Sequence, residues 1–335
     1  MTVQSGNGVT WPRVSVVIPT LNEARNLPHV FAQLPADIHE VIVVDGRSVD
    51  DTVAVARQLR PDVRIVMQTR KGKGNALACG FSAATGDVIA MVDGDGSADP
   101  REIPRFVDAL LAGADFAKGT RFAEGGGSDD ITRLRSLGNR VLSTSVNLVY
   151  GTKYSDLCYG FNVFWRRIVP VLDLDATSAP PTDNGSLWGD GFEVETLINI
   201  RIAKAGLVVT EVPSFEHSRI HGVSNLSAVS DGLRVLRTIL AERQHSRRLA
   251  RRAETPPAAG GRSRTSTRPT IADLTHGPDP DGLAQRRRVR FGDFGQSGAQ
   301  HPAADTGGGY GVESAVVGDV TAPGVGEEFD EPVVA

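Results

Sequence analysis

Val88-Ile-Ala-Met-Val-Asp-Gly-Asp-Gly-Ser-Ala-Asp-Pro100 runs an apolar segment straight into two carboxylates, Asp93 and Asp95, with one glycine between them. An apolar run this short, bounded by Gly86-Asp87 and Gly94, reads as a strand covered on both faces, as in a parallel sheet. Ligands of open α/β sheets collect beyond the carboxyl ends of such strands. Two neighbouring carboxylates placed there repel each other and resist burial. A hard divalent cation relieves this, because it takes oxygen ligands and is shared with a substrate's phosphates. Asp and Gly also favour turns, so a solvated acidic turn stands beside the metal-bridged diphosphate until the rest of the chain is read.

Upstream, the same pattern repeats. Val14–Ile18 is a β-branched strand stopped by Pro19, with Thr20 or Asn22 able to cap a helix marked by Leu27, Val30, Phe31 and Leu34. Val41–Val44 is a second apolar strand, followed by Ser48 and Asp50 as caps for a helix reaching Leu59. Val63–Met67 is a third strand. Lys71-Gly-Lys-Gly-Asn75 is a glycine-rich loop opening a helix over Ala76–Ala84. Strands that are apolar throughout and alternate with helices predict a mostly parallel sheet with helices on both faces. Right-handed crossovers then bring the loops Pro19–Glu23, Asp45–Asp50, Lys71–Asn75 and Asp93–Ser97 to one edge. Four polar loops on one crevice favour a binding site over four independent turns.

The second half is less regular. Helices are expected over Ile103–Leu111, Leu134–Leu148, Glu193–Ala203 and Leu226–Ala241, and strands over Ala114–Arg121 and Val208–Val212, with a turn at Asp156–Asn162 leading into a short strand. Residues 176–189 are loop chemistry. The organisation expected is a polar leader over 1–12, an α/β domain over 13–245 and a disordered low-complexity tail over 246–335, whose scattered hydrophobes cannot offset the ordering of its backbone. Arg286–Arg290 reads as a solvated charge run.

A net charge of −4 argues against a nucleic-acid binder, and two cysteines supply no disulfide framework. No apolar run reaches the roughly 18 to 20 residues that span a bilayer. A soluble cytoplasmic protein is expected, one that meets any lipid substrate as a peripheral visitor to the membrane's cytoplasmic face.

Pro19-Thr-Leu-Asn-Glu23, Val43-Val-Asp45 with Ser48 and Asp51-Thr52, Gly72-Lys-Gly-Asn-Ala76 and Asp93-Gly-Asp95 together resemble the family 2 glycosyltransferases of the GT-A fold. Gly119-Thr-Arg121, Arg133-Leu-Arg-Ser136, Glu211-Val-Pro213 and Arg219-x-x-Gly222-x-Ser224 resemble the dolichol-phosphate mannose synthase branch. The match extends over residues 13–242. It implies transfer of a sugar, with inversion, from a nucleotide-sugar such as GDP-mannose or a UDP-hexose to a polyprenyl phosphate. Pro19, Leu21 and Glu23 would line the nucleoside pocket, Asp45 would meet the base or ribose, and Lys73 would belong to the same donor site. Glu23 is equally a helix first-turn acid. Asp95, assisted by Asp93, would hold Mg²⁺ or Mn²⁺.

A phosphate acceptor is already anionic and needs no base, but it needs cations. Arg121, Arg133 or Arg135, and Arg219 match the acceptor-phosphate positions of that branch, and Ser136 adds a donor; the guanidinium fork suits phosphate. A hydroxyl acceptor, as in glycan or exopolysaccharide assembly, would need a base, and Asp190, Glu193 and Glu195 are the carboxylates available. A non-catalytic nucleotide-sugar-binding scaffold is the third reading; the intact Asp93, Asp95 and Glu23 stand against it. The sequence departs from the family at Asp45-Gly-Arg-Ser48, where Arg47 replaces a second acid. It also lacks Gln-x-x-Arg-Trp, which disfavours a processive synthase.

Overall fold

A computed structural model of the chain describes residues 11–179, 187–222 and 232–244. The expectations for residues 1–10, the middle of the 176–189 loop, Ser224, the start of the last helix and the tail from 246 lie outside them. Trp11, within the stretch read as leader, packs against the core.

The first half follows the predicted alternation: β1 (Val14–Thr20), α1 (Leu27–Ala32), β2 (Glu40–Asp45), α2 (Thr52–Leu59), β3 (Arg64–Met67), α3 (Lys73–Ala83) and β4 (Val88–Met91). After α4 (Ile103–Leu111) come β5 (Phe116–Thr120), β6 (Gly127–Ser128), α5 (Arg133–Tyr150), β7 (Asn162–Trp165), α6 (Val169–Leu172), α7 (Val194–Lys204), β8 (Val209–Pro213) and β9 (Phe215–Glu216). A helix over 232–244, α8, completes the described residues.

Seven strands form one sheet in the order β3-β2-β1-β4-β7-β5-β8, and β6 pairs with β9 separately. All pairings in the large sheet are parallel except those of β7, which lies antiparallel to both β4 and β5. Strand β1 shows why its residues are apolar without alternation. Val16 and Ile18 enter a core with Leu27, Val30 and Phe106, while Val17 enters another with Leu77, Phe81 and Ile198. Helices therefore cover both faces, and successive side chains point into opposite layers. Gly80 lets α3 press onto the sheet, since a Cβ there would meet Val17 Cγ1 at 2.3 Å.

Two caps differ from expectation. The N-cap of α1 is Asn26, while Asn22 adopts a left-handed φ of 59° and bridges two loops. Ser48 also bridges, accepting from Asn22 N, and only Asp50 bonds the start of α2, through Thr52 N at 3.1 Å. In both cases a loop-to-loop bond competes successfully with a helix cap for the same side chain.

Candidate active site

The predicted edge is assembled at the carboxyl ends of β1, β2 and β4. Asn22 and Ser48 tie the loop after β1 to the loop after β2: Asn22 N donates to Ser48 Oγ (2.9 Å) and Asn22 Oδ1 accepts from Val49 N (2.9 Å). Glu23 N donates to Thr52 Oγ1 at 2.8 Å. Between these loops lies Asp45, buried at the end of β2. Its Oδ2 accepts from Ser48 N (3.0 Å), whereas Oδ1 is buried with no hydrogen-bond partner among the described residues. An unsatisfied buried oxygen is costly, so this atom is an acceptor suited to a ligand N–H or O–H. Leu21 is half exposed and Pro19 partly buried beside it. Arg47 is exposed in a left-handed turn with φ 66°.

Asp93 and Asp95 line a cavity of about 540 Å³ together with Lys73, Arg121, Arg135 and Arg219. Lys73 Nζ sits 2.7 Å from Asp93 Oδ1 and 2.8 Å from Glu195 Oε1. Burial alone would lower the pKa of this ammonium, but the two carboxylates outweigh it and hold the pKa above the ordinary lysine value. Asp95 Oδ1 accepts from Ser97 N (3.0 Å) and Oγ (2.7 Å), while Oδ2 faces Arg219 at 3.5 Å. Arg219 also pairs with Glu23 Oε1 and donates Nε to His221 O at 2.8 Å. Burial raises the pKa of the Glu23 carboxyl, partly offset by hydrogen bonding from Asn26. One guanidinium thus links Glu23 to Asp95.

No group of three or more His, Cys, Asp or Glu residues is arranged to cage a metal among the described residues. Asp93 and Asp95 nevertheless line one cavity, and Mg²⁺ is commonly held by one or two carboxylates plus substrate phosphates. The donor set fits a cation that arrives with a diphosphate.

The structure separates the arginines that the sequence grouped. Arg121 is buried; its Nε and Nη2 meet Asp156 at 2.7 and 2.9 Å, and its Nη1 meets Glu216 at 2.9 Å. Tyr159 lies 5.1 Å below the guanidinium. Two carboxylates already engage this cation, so a phosphate would have to share it. Arg135 lines the cavity and pairs with Asp130 at 2.7 Å. Arg133 and Ser136 do not join it. They line a separate hollow with Arg140 and Thr144. Residues two apart on a helix point about 200° from each other, which makes Arg135, not Arg133, the cavity-facing member of the pair.

Two of the three candidate bases are held by close cations, and Glu193 is engaged through one oxygen, its Oε2 having no hydrogen-bond partner among the described residues. Asp190 forms a buried, two-pronged pair with Arg70, at 2.8 Å to both Nε and Nη2, and accepts from Leu187 N at 2.6 Å. Arg70 continues to the carbonyls of Ser178 (2.7 Å) and Asp175 (2.5 Å). Glu193 Oε1 accepts from Gly189 N and Gly191 N at 3.2 and 3.3 Å, and its Oε2 lies 3.8 Å from Arg234. Glu195 holds Lys73. The glycine-rich loop serves this same assembly. Gly74 N donates to Asp190 O at 2.7 Å, and Cβ atoms on Gly72 and Gly74 would lie 2.1 Å from Asp190 O and 1.8 Å from Gly189 O. Those glycines admit the 189–190 backbone. Sequence reasoning missed Arg70, Asp156 and Glu216. Arg70, next to Lys71-Gly-Lys-Gly, stood beside a motif already singled out.

A parallel-sheet edge carrying an Asp-x-Asp pair, a buried acceptor on the adjacent strand and a cation-lined cavity defines a nucleotide-sugar transferase architecture. The model of glycosyl transferase family 2 matches residues 15–172. The chain belongs to that family and is a glycosyltransferase. It is 31% identical over 226 residues to the polyprenol monophosphomannose synthase of Mycolicibacterium smegmatis, covering 64% of this chain and 81% of that one. It is 30% identical over 224 residues to the undecaprenyl-phosphate mannosyltransferase of Micrococcus luteus, covering 64% and 88%. Among solved structures, glucosyl-3-phosphoglycerate synthase from Mycobacterium tuberculosis, in complex with Mn²⁺, UDP-glucose and phosphoglyceric acid, aligns with TM-score 0.51 and 25% identity over 70% of this chain and 80% of that one.

Proposed function

We propose that the protein transfers a sugar from a nucleotide-sugar to a polyprenyl phosphate, with inversion at the anomeric carbon. The observation that carries this reading is the state of the carboxylates. Asp190 is locked in a buried pair with Arg70 and, like Glu193, does not line the cavity, while Glu195, which does, is held by Lys73, so none of the three presents an unpaired carboxylate to the cavity to take a proton from a hydroxyl. An anionic acceptor requires no such base, and the cavity instead offers Arg135, Arg219 and the shared Arg121. The relatives that act on polyprenyl phosphates support the same substrate class.

In this mechanism the nucleoside lies over Pro19, Leu21 and Glu23, with Asp45 Oδ1 accepting from the base or ribose. Asp93 and Asp95 would hold Mg²⁺ or Mn²⁺, which when bound neutralises the departing diphosphate as a Lewis acid. Lys73 holds Asp93 and Glu195 in place. The arginines bring the acceptor phosphate to the anomeric carbon against the repulsion of two anionic reactants. An acceptor oxygen then forms the new bond to that carbon as the bond to the diphosphate breaks, and the nucleoside diphosphate leaves.

The test is a transfer assay with Mg²⁺ or Mn²⁺, offering GDP-mannose, UDP-glucose and related donors with polyprenyl phosphate in detergent, and following sugar into organic solvent. Labelled lipid is the expected result. Nucleotide release only with hydroxyl acceptors would refute the proposal and return Glu195 and its neighbours to the role of base.

A further inference from the structure

Asn26 opens α1 but does not cap it. An asparagine in that place ordinarily accepts from the first free N–H groups of its helix, yet here the side chain makes no such bond. The amide is 2% exposed and is committed elsewhere. Its Nδ2 donates to Glu23 Oε2 and, at 3.1 Å, to His221 O, while its Oδ1 accepts from His221 N at 2.9 Å. A carboxamide carries donor and acceptor side by side, and so grips both backbone groups of one residue 195 positions away.

The gripped residue follows Arg219 by two. Arg219 donates Nε to the same His221 carbonyl at 2.8 Å and pairs through Nη2 with Glu23 Oε1. A ring closes: Asn26 to Glu23, Glu23 to Arg219, Arg219 to His221 O, and His221 O back to Asn26. The other end of the segment is held against the Asp95 loop. His217 N donates to Ser97 O at 2.8 Å, and Ile220 lies over Gly96, where a Cβ would meet its Cδ1 at 2.6 Å. Arg219 thus reaches Glu23 and Asp95 from a backbone fixed on both sides, and Asn26 supplies the side-chain anchor on the later side. Asn26 itself does not line the cavity, so its route to the reaction runs through the groups it holds. Misplacing a binding group by about 1 Å is enough to cost much of a rate.

We propose that Asn26 is a positioning residue that acts on the reaction through Arg219, by locking residues 217–221 to Glu23. This rests on the polyprenyl-phosphate reading, in which Arg219 meets the acceptor. The experiment compares the full chain as wild type, Asn26→Ala, Asn26→Ser, Arg219→Ala and the double variant Asn26→Ala/Arg219→Ala. Serine is itself a good helix-capping residue but too short to span Glu23 and His221, so Asn26→Ser keeps the start of α1 and releases the segment. Transfer from GDP-mannose and from UDP-glucose to polyprenyl phosphate in detergent gives the acceptor KM, and circular dichroism follows the fold. Each Asn26 variant should stay folded and raise that KM about tenfold. The double variant should match Arg219→Ala within about twofold, because the two residues act as one unit. Hydrogen–deuterium exchange over 217–221, which needs no substrate, should quicken about tenfold in both Asn26 variants.

A double variant whose loss is the product of the two single losses, about a hundredfold, would overturn the inference. So would Asn26 variants that keep the wild-type acceptor KM or the wild-type exchange of 217–221, or unfolding of both, which would make the residue part of the fold alone. Absence of transfer from wild type to any phosphate acceptor would instead overturn the proposed function, and the exchange rates would still report whether Asn26 locks the segment.

Discussion

Replacing Asp190 by alanine separates a structural carboxylate from a catalytic one. In the native chain Asp190 and Arg70 are both almost wholly buried, their side chains 4% and 1% exposed, and they share two hydrogen bonds of 2.8 Å. Removing the acid leaves a buried guanidinium without its counter-charge and frees Leu187 N. Breaking a buried pair from one side costs about 3–5 kcal/mol, a large part of the roughly 5–15 kcal/mol that holds a domain together. For a domain of this size the melting temperature should fall by roughly 10 °C. Arg70 would also loosen its hold on the carbonyls of Asp175 and Ser178. The assay is thermal unfolding by circular dichroism, paired with transfer rates measured well below the transition. The double variant Arg70→Met/Asp190→Leu should recover most of the lost stability, because a packed apolar pair replaces a buried ionic one at little cost. A single variant that melts within about 3 °C of wild type and yet loses transfer by about 100-fold would refute the reasoning and make Asp190 a participant in the chemistry.

Asp95→Ala should lower metal-dependent transfer by about 100-fold or more while unfolding as wild type does; full activity would remove Asp95 from the mechanism. Arg219→Ala should raise the acceptor KM by about tenfold, the loss of one charge-assisted contact, and leave donor binding equal or tighter because Glu23 and Asp95 are no longer held by it; an effect confined to the donor would contradict its placement. For Glu40, burial opposes ionisation, but hydrogen bonds from Ser15 (2.6 Å), Arg64 (2.6 Å) and Thr85 hold its pKa at about 2. A depressed carboxyl stabilises the fold above its unfolded pKa near ~4.3. That stability, about 2 kcal/mol after allowance for screening, is lost as pH falls from 5 towards ~2. Urea unfolding between pH 7 and pH 3 should show the loss in wild type and not in Glu40→Gln; equal slopes would refute it.

Much of the first half was legible because its information is local. Val14–Ile18, Val41–Val44 and Val88–Met91 are apolar without alternation, and that pattern has one economical explanation, a strand between two layers. Once the strands were parallel, handedness alone carried Asp45, Lys73 and Asp93 to the same edge. The direction of β7 could not be read, because Asn162–Trp165 is equally apolar in either orientation and its reversal is set by the chain that enters it from α5.

By itself, then, the sequence determined the layered α/β fold, the edge where the polar loops gather and the closeness of Asp93 to Asp95, since each follows from short-range periodicity and a rule of handedness. Only the tertiary structure decided which charged groups are free. Arg70 meets Asp190 across 120 positions and Arg121 meets Asp156 across 35, and Arg219 reaches back across 196 to Glu23. No local pattern encodes those partners. Which cations remain for a phosphate, and which carboxylates remain for a proton, depends on packing that brings distant segments within 3 Å.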